Sequence, residues 1–355
     1  MSDFASLLSS FKVTAQSAAA APPAEKTNED ASRKRAAPSA ASTTLAFPSI
    51  HIHLKKKSFD LHFLILGGQK CGTTWVHTLL QKCKLVSLPA QKEVHFWDWH
   101  YKKGIDWYIR QFEQNSSKHL GEITPDYVVL PPTTIAEIHR CFPNLRLVFI
   151  ARDLVERAWS AMVMELRDQN MGLNPGEFAV GVIQGDKRSA KRAKPNVSTS
   201  QQRRMQQLSS PSSQPDSYFI ERLEHETHKS RSDYATSLKN WYEYFPDDAI
   251  LLIDYRDIRS DPHGVLYKIV THIGVDEDVA KQYVDELDEE EVQQRVNVST
   301  NNDGNGKETH NDSSVSLSQR PLLKKQMEKL VSPYVMSFNT LLRAKGYTWS
   351  LNDYT

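Results

Sequence analysis

From Ile50 onward, short unbroken apolar runs alternate with stretches whose apolar residues recur every three or four positions. Phe63–Leu66, Leu145–Ile150 and Ala249–Ile253 are runs of the first kind. Runs this short and this uniformly apolar predict strands buried on both faces, as parallel strands between helix layers are. Thr74–Leu80, Thr133–Arg140, Val155–Arg167 and Tyr234–Tyr244 carry the helical spacing, and Pro321–Leu342 resumes it as a closing helix. Pro131-Pro132 suits a helix start, while Pro143 and Pro246 end helices ahead of two of the strands. Strand, helix, strand in this order predicts an α/β fold: a P-loop-like, doubly wound parallel sheet flanked by helices.

The pattern lapses in three places. Met1 to Pro48 is rich in Ala, Ser, Thr and Pro and has no apolar core of a secretory signal. Lys187–Pro215 is first basic and then rich in Ser, Gln and Pro, and Asn297–Ser318 is similarly polar. The expected division is therefore a disordered tail over 1–48 and one domain over 49–355, with a low-complexity insertion at about 184–217. Hydrophobic residues make up 39% of the 355, low for a compact chain of this length, which agrees with such unfolded stretches.

Charge and cysteine content narrow the function classes. Net charge is +1, from 44 basic and 43 acidic residues, so nothing global argues for nucleic-acid or membrane attraction. Three cysteines, Cys71, Cys83 and Cys141, show neither a disulfide framework nor zinc-type spacing. No run of about 18 apolar residues occurs, so no membrane-spanning helix is expected, and the location expected is cytoplasmic.

Candidate chemistry begins at His62–Leu80, HFLILGGQKCGTTWVHTLL. A strand feeding a glycine-rich turn and then a helix start gathers loop N–H groups and the positive helix end on one anion. The nucleotide-triphosphate loop reads G-x-x-x-x-G-K-[ST]. Gly67 and Gly72 keep its spacing, but Thr73 stands where its lysine should be, and the one lysine is Lys70, inside the turn. Trp75 could stack a base or simply fill the core. Downstream, Glu93 and His95 alternate with apolar residues, which predicts an extended segment with both on one face and Glu93 placed as a general base. Where the second strand ends, Arg152 offers a planar fork for another phosphate and Ser160 a hydroxyl about two turns along the next helix. Asp153 is the expected cap of that helix. Two separate anion sites point to a nucleotide with phosphates at two places.

Together, GGQKCGTTW, KEVHFWDWHYKKGIDWY, GEITPDY and LRLVFIARDLVERAWS resemble the sulfotransferase family. The likeness is nearest to carbohydrate sulfotransferases of the heparan-sulfate glucosaminyl N- and 3-O-type and their bacterial or algal relatives. It runs from Phe63 to Ser160 and resumes from Ser232 to Ile273. The resemblance implies 3′-phosphoadenosine 5′-phosphosulfate as co-substrate and a glycan as partner, with no metal. It places Gln69, Lys70, Cys71, Gly72, Thr73, Thr74 and Trp75 around the 5′-phosphosulfate, and Arg152 and Ser160 on the 3′-phosphate. Lys70 becomes the catalytic lysine at the leaving oxygen, Glu93 the base on the acceptor, and His95 its neighbouring catalytic histidine. The chain departs from the pattern at Ile123, where heparan-type enzymes often carry a lysine, and at Leu154, which replaces a proline. The late Lys-Gly-Arg phosphate loop is missing, and Lys307 is the candidate substitute.

Two other readings compete with sulfuryl transfer. A small-molecule or nucleoside kinase would need a lysine directly after Gly72, where Thr73 stands. A catalytically silent nucleotide-binding scaffold is opposed by the intact Lys70, Glu93 and Arg152.

Overall fold

Five parallel strands form the sheet in the order β2-β3-β1-β4-β5. They are β1 (Phe63–Ile65), β2 (Val86–Ser87), β3 (His119–Ile123), β4 (Arg146–Ala151) and β5 (Ile250–Asp254). This computed structural model describes residues 59–112, 119–170, 211–293 and 316–354, all within one compact unit, Leu45–Thr355. The amino-terminal tail, residues 184–210 of the expected insertion and Lys307 lie outside the described residues. At the insertion's other edge the structure differs from expectation: Pro211–Ser213 form a helical turn and a helix begins at Asp216. The Arg320 guanidinium holds this edge through the carbonyls of Pro211 and Gln214, which is why it is ordered despite its composition.

The apolar runs behave as parallel strands do, sending alternate side chains to opposite layers. Along β1, Phe63 and Ile65 enter one core, and Leu64 and Leu66 the other. Along β4, Val148 and Ile150 join the first of these cores, and Leu147, Phe149 and Ala151 the second. The first core is closed by α1 (Thr73–Leu80). The second is closed by α2 (Pro132–Cys141) and α3 (Leu154–Asn170). Beyond α3 come α4 (Asp216–Glu224), α5 (Glu226–Ser232) and α6 (Tyr234–Tyr242), of which α4 and α6 bury side chains in the second core. Then α7 (Pro262–His272) and α8 (Glu277–Asp285) cover the first core beside α1, and the long α9 (Pro321–Ala344) covers the second.

Two strands escape the hydrophobic pattern. β2 has only two residues, and β3 reads His-Leu-Gly-Glu-Ile, with a carboxylate in its middle. That carboxylate, Glu122, is fully buried because Tyr108 and Thr124 donate their hydroxyls to it at 2.5 and 2.9 Å. Burial raises Glu122 to about 7, against the opposing pull of those two bonds. Among the described residues, no helix is long and apolar enough to cross a membrane.

β1 and β4 are neighbours, with Phe63 opposite Arg146 and Ile65 opposite Val148. Their following helices, α1 and α3, pack on opposite faces of the sheet. A crevice therefore opens between the carboxyl ends of these two strands, the switch point at which such sheets bind ligands.

The carboxyl-terminal segment returns to this crevice. Asn339, buried on α9, accepts from the Leu351 N–H at 2.8 Å and donates to its carbonyl at 3.0 Å. Farther along, Tyr354 donates its hydroxyl to Asp153 at the start of α3. Asn339→Ala strands two buried backbone groups, and an unfolding loss of about 2–4 kcal/mol is expected. Urea titration checks the size, and hydrogen exchange at the Leu351 amide checks the cause; an unchanged midpoint would refute it.

Candidate active site

The loop after β1 is a sequence of tight reversals. Leu66 still donates to the Val148 carbonyl at 2.8 Å, and Cys71 donates back to the Gly68 carbonyl at 3.0 Å. Gly67, Lys70 and Gly72 have φ of 29°, 71° and 83°. Gly72 is the N-cap of α1 and provides no side-chain capping bond. A Cβ there would meet the Ile258 side chain at 3.0 Å and the Tyr255 ring at 3.2 Å in a backbone region that already disfavours L-residues. The first N–H groups of α1 thus face the crevice without a capping side chain, and no acidic residue occupies the first turn. These are the ingredients of an anion cradle.

Arg152 joins this cradle to β4. Its Nη1 donates to the Lys70 carbonyl at 3.0 Å, and its guanidinium lies 4.6 Å from the Tyr255 ring centroid and pairs with Glu156. The loop lysine and the strand-end arginine are therefore brought together, as their places in the sequence predict. The Lys70 ammonium reaches the Met164 sulfur at 3.7 Å, on α3. Asp153 caps α3, accepting from the Glu156 N–H at 3.0 Å. Ser160 is half-buried on the same helix.

The remaining loop residues are more enclosed than their assignment as donor contacts anticipates. Cys71 is buried, its sulfur 3.5 Å from the Tyr234 hydroxyl, and burial pushes its thiol pKa up. Gln69 and Thr74 are half-buried, while Thr73 is buried. Trp75 corrects the stacking reading: its ring belongs to the first core, and its indole N–H donates to the Val292 carbonyl at 2.8 Å. A ring so enclosed offers no open platform for a base, although its backbone N–H still belongs to the first turn of α1.

Glu93 and His95 meet, but by a different route from the extended segment expected. Both have left-handed backbones, φ 62° and 52°, and the turn that follows, Phe96–His100, is π-helical. Both the Trp99 and His100 amides donate to the His95 carbonyl, at 3.1 and 2.8 Å. The Tyr127 hydroxyl pins the turn by accepting from the Phe96 and Trp97 amides at 2.7 and 3.2 Å. In consequence His95 Nε2 lies 3.3 Å from Glu93, Nδ1 lies 2.8 Å from Asp98, and the Trp99 indole stacks on the imidazole at 3.5 Å. Lys92 adds a second cation, donating to Glu93 at 2.7 Å.

These neighbours separate the two charges. Burial alone would raise Glu93, but bonds from His95 and Lys92 prevail and bring it down to about 2. Burial alone would lower His95, but Asp98 and Glu93 raise it to about 9. At neutral pH the pair is carboxylate and imidazolium. His77 on α1 is within electrostatic reach of Lys92 and Glu93, which places the cradle helix and the Glu93 turn side by side. Burial first, and then Lys92, lower His77 to about 4, so it is neutral.

Asp98, Tyr127 and Lys92 are the site residues that sequence reasoning leaves out. Asp98 was within reach, because it lies three positions after His95 in the same quoted motif. Tyr127 closes the quoted GEITPDY motif, but its contact with the Phe96 and Trp97 amides crosses between separate segments and was not legible from spacing. His95, Asp98 and Asp126 also bring one ligand atom each within 4.8 Å of one another, a spacing a cation can use. Both carboxylates already face a cation: Asp98 the His95 ring, and Asp126 a two-pronged pair with Arg231 at 3.0 and 3.2 Å.

The family model described as "Sulfotransferase domain" matches residues 60–331. The chain belongs to the sulfotransferase family. The membrane-associated sulfotransferase kil1 of Dictyostelium discoideum is 35% identical over 103 residues, 28% of this chain. The bifunctional heparan sulfate N-deacetylase/N-sulfotransferase 4 of Mus musculus is 25% identical over 224 residues, 60% of this chain. The chain spans 22% of the length of each of these relatives. Among solved structures, a sulfotransferase from Alicyclobacillus acidocaldarius matches with a TM-score of 0.51 at 17% identity, over 80% of this chain and 96% of the other. That likeness supports the fold of the sulfotransferase domain.

The coupling between Glu93 and His95 in this domain is measurable. His95→Gln removes the main bond that holds Glu93 down, so its carboxyl carbon, followed by NMR, is expected to titrate well above 2 and toward 4.5. In the unsubstituted protein, the His95 contribution to stability is complete below its ordinary 6.5 and fades as pH rises through about 9. That of Glu93 is complete above 4.5 and is lost as pH falls through about 2. A Glu93 midpoint unmoved by His95→Gln would show that the pair is not coupled.

Proposed function

We propose that this domain transfers a sulfuryl group from 3′-phosphoadenosine 5′-phosphosulfate to a hydroxyl or amine of a carbohydrate acceptor. The observation that carries the reading is the clasp of Arg152 on the Lys70 carbonyl, which sets two anion binders in one crevice beside the Glu93–His95 turn. A donor with phosphate at both its 5′ and 3′ positions fits two such binders. The loop amides and Lys70 serve the 5′ end, and Arg152 with Ser160 the 3′ end.

The steps follow from what each residue can do. The acceptor oxygen or nitrogen attacks sulfur as the sulfur–oxygen bond to the 5′-phosphate breaks, releasing adenosine 3′,5′-bisphosphate. Charge then grows on the leaving phosphate oxygen, where the Lys70 ammonium and the α1 amides stabilise it. The Glu93 carboxylate takes the acceptor proton. Held protonated between Glu93 and Asp98, His95 fixes the direction in which Glu93 points and offsets its charge.

A sulfuryl group is less negatively charged than a phosphoryl group, so lysine, amides and a helix dipole suffice, and we read the reaction as metal-independent. The saccharide acceptor is supported by relatives whose names carry heparan sulfate. A kinase reading would require a lysine after Gly72, where the buried Thr73 stands.

Labelled sulfate donor offered to a glycan panel in EDTA is expected to give labelled product. Lys70→Ala and Glu93→Ala should each lower kcat by about 100-fold or more with the fold intact, consistent with loss of a charge stabiliser or a base. Arg152→Ala should mainly weaken adenosine 3′,5′-bisphosphate binding, by tenfold or more. Turnover that requires magnesium and ATP would replace this reading with phosphoryl transfer, and full activity in Glu93→Ala would remove it as the base.

A further inference from the structure

Arg157, in the first turn of α3, is fully buried. Its Nη2 donates to the Ser232 hydroxyl at 2.9 Å, and that hydroxyl donates in turn to the His228 carbonyl at 2.8 Å. Its Nε and Nη1 have no hydrogen-bond partner among the described residues. Burial pulls the pKa of the guanidinium down, yet an arginine keeps its proton in a folded protein. A full positive charge therefore sits out of water between α3 and the end of α5, with two of its three nitrogens unsatisfied.

Among the described residues no carboxylate pairs with it. Glu165, on the same helix, is within electrostatic reach but is already held by Arg222 and by His228 at 3.0 Å. Burial lowers His228, so its ring is neutral and Glu165 balances Arg222 alone. Arg231, also within reach, is matched by Asp126. Taking a charge out of water is costly even in a pair, and more so without one. A buried group left this unsatisfied needs a reason beyond packing.

The donor loop supplies one. Arg157 is within electrostatic reach of Cys71, inside the loop, and of Tyr234. The Tyr234 hydroxyl lies 3.5 Å from the Cys71 sulfur and donates to the Arg152 carbonyl at 3.2 Å, tying α6 to both the loop and the end of β4. Cys71 is also within reach of Arg152. Two guanidiniums thus act on the same loop. Arg152 is partly exposed and paired with Glu156, whereas Arg157 is sealed in the core and unpaired.

Resting on the sulfuryl-transfer reading above, we infer that Arg157 is a positioning residue of the donor site, a buried counter-charge that acts on the bound polyanion through the loop without touching it. Its field crosses a low-dielectric interior, where a charge acts more strongly than in water and mobile ions do not screen it. The free domain carries the isolated charge, and an anion seated on the loop compensates it. Stability of the free protein is thereby exchanged for affinity at this one side chain.

Calorimetric titration of the full chain with adenosine 3′,5′-bisphosphate, and urea unfolding without ligand, test both halves. Arg157→Met keeps the reach of the side chain and removes its charge. It is expected to weaken bisphosphate binding about tenfold or more, while the urea midpoint of the free protein holds or rises. Arg157→Lys keeps the charge and should bind within about threefold of the unsubstituted chain. Ser232→Ala removes the one side-chain partner but leaves the charge, and should also leave affinity unchanged. Unchanged binding in Arg157→Met overturns the inference. So does an Arg157→Met chain that is less stable or does not fold, because the charge would then be satisfied in the free protein. A loss in Ser232→Ala as large as in Arg157→Met, or an Arg157→Lys that binds no better than Arg157→Met, would reduce the residue to scaffolding. Failure of the unsubstituted chain to bind adenosine 3′,5′-bisphosphate would instead remove the sulfuryl-transfer reading. Inorganic pyrophosphate, which needs only the loop and its charges, would then decide the inference on the same variants, and its failure to bind would overturn it.

Discussion

Parallel pairing of β1 with β4 fixes where every functional group can stand. With Ile65 opposite Val148, the two strands end side by side, and each must hand its chain to a helix on a different face. The loop to α1 and the turn into α3 then leave the same edge in opposite directions. Arg152 bridges the gap by donating to the Lys70 carbonyl. A shift of one residue in this register would exchange the faces of β1, moving Phe63 and Ile65 out of their core and Leu64 and Leu66 out of theirs. The site and the two cores are therefore specified by one set of contacts, and neither can change without the other.

Backbone strain is concentrated where the chemistry is. The three non-glycine residues with positive φ among the described residues are Lys70, Glu93 and His95, all candidates for catalysis. Each costs roughly 1–2 kcal/mol relative to an ordinary backbone. The surroundings hold them there: Arg152 on the Lys70 carbonyl, two amides on the His95 carbonyl, and Tyr127 on the turn that follows. In an extended strand, Glu93 and His95 would project on one face with their side chains parallel. The left-handed turns instead bring the carboxylate to the imidazole edge, leaving the other ring nitrogen for Asp98.

Much of this was legible in the sequence because it rests on local signals. β1, β4 and β5 announced themselves as apolar runs, and α1, α2, α3, α6 and α9 as helical spacing with proline and aspartate punctuation. The cradle was legible because Gly67, Lys70 and Gly72 occupy fixed places between a strand and a helix. What escaped was whatever depends on distant partners. β3 could not be read as a buried strand, because Glu122 is tolerated there only through the Tyr108 and Thr124 hydroxyls. The left-handed turns at Glu93 and His95 were hidden because positive φ is uncommon for any residue but glycine, so alternation read as extension. Trp75 was ambiguous until its indole N–H was found on the Val292 carbonyl, more than two hundred positions away.

The two sides of the crevice differ in how their charges are paired. The β1–β4 side offers donors: the α1 amides, the Lys70 ammonium and the Arg152 guanidinium. On the Glu93–Asp98 side each carboxylate is met by a cation: Glu93 by Lys92 and His95, Asp98 by His95, and Asp126 by Arg231. Lys92 and His95 stand between and keep Glu93 ionised rather than adding a net cation to the acceptor side. In the reading proposed above, a polyanionic donor is drawn to the β1–β4 wall, where the first turn of α1 carries no acidic residue. In the same reading Glu93, kept ionised, is the one carboxylate that takes the proton from the nucleophile. Buried Glu122, within electrostatic reach of His95 and raised by burial to about 7, is only partly ionised at physiological pH. The pairing at the crevice is therefore set by half-buried groups, Lys92, Glu93 and Asp98, around the buried His95 ring.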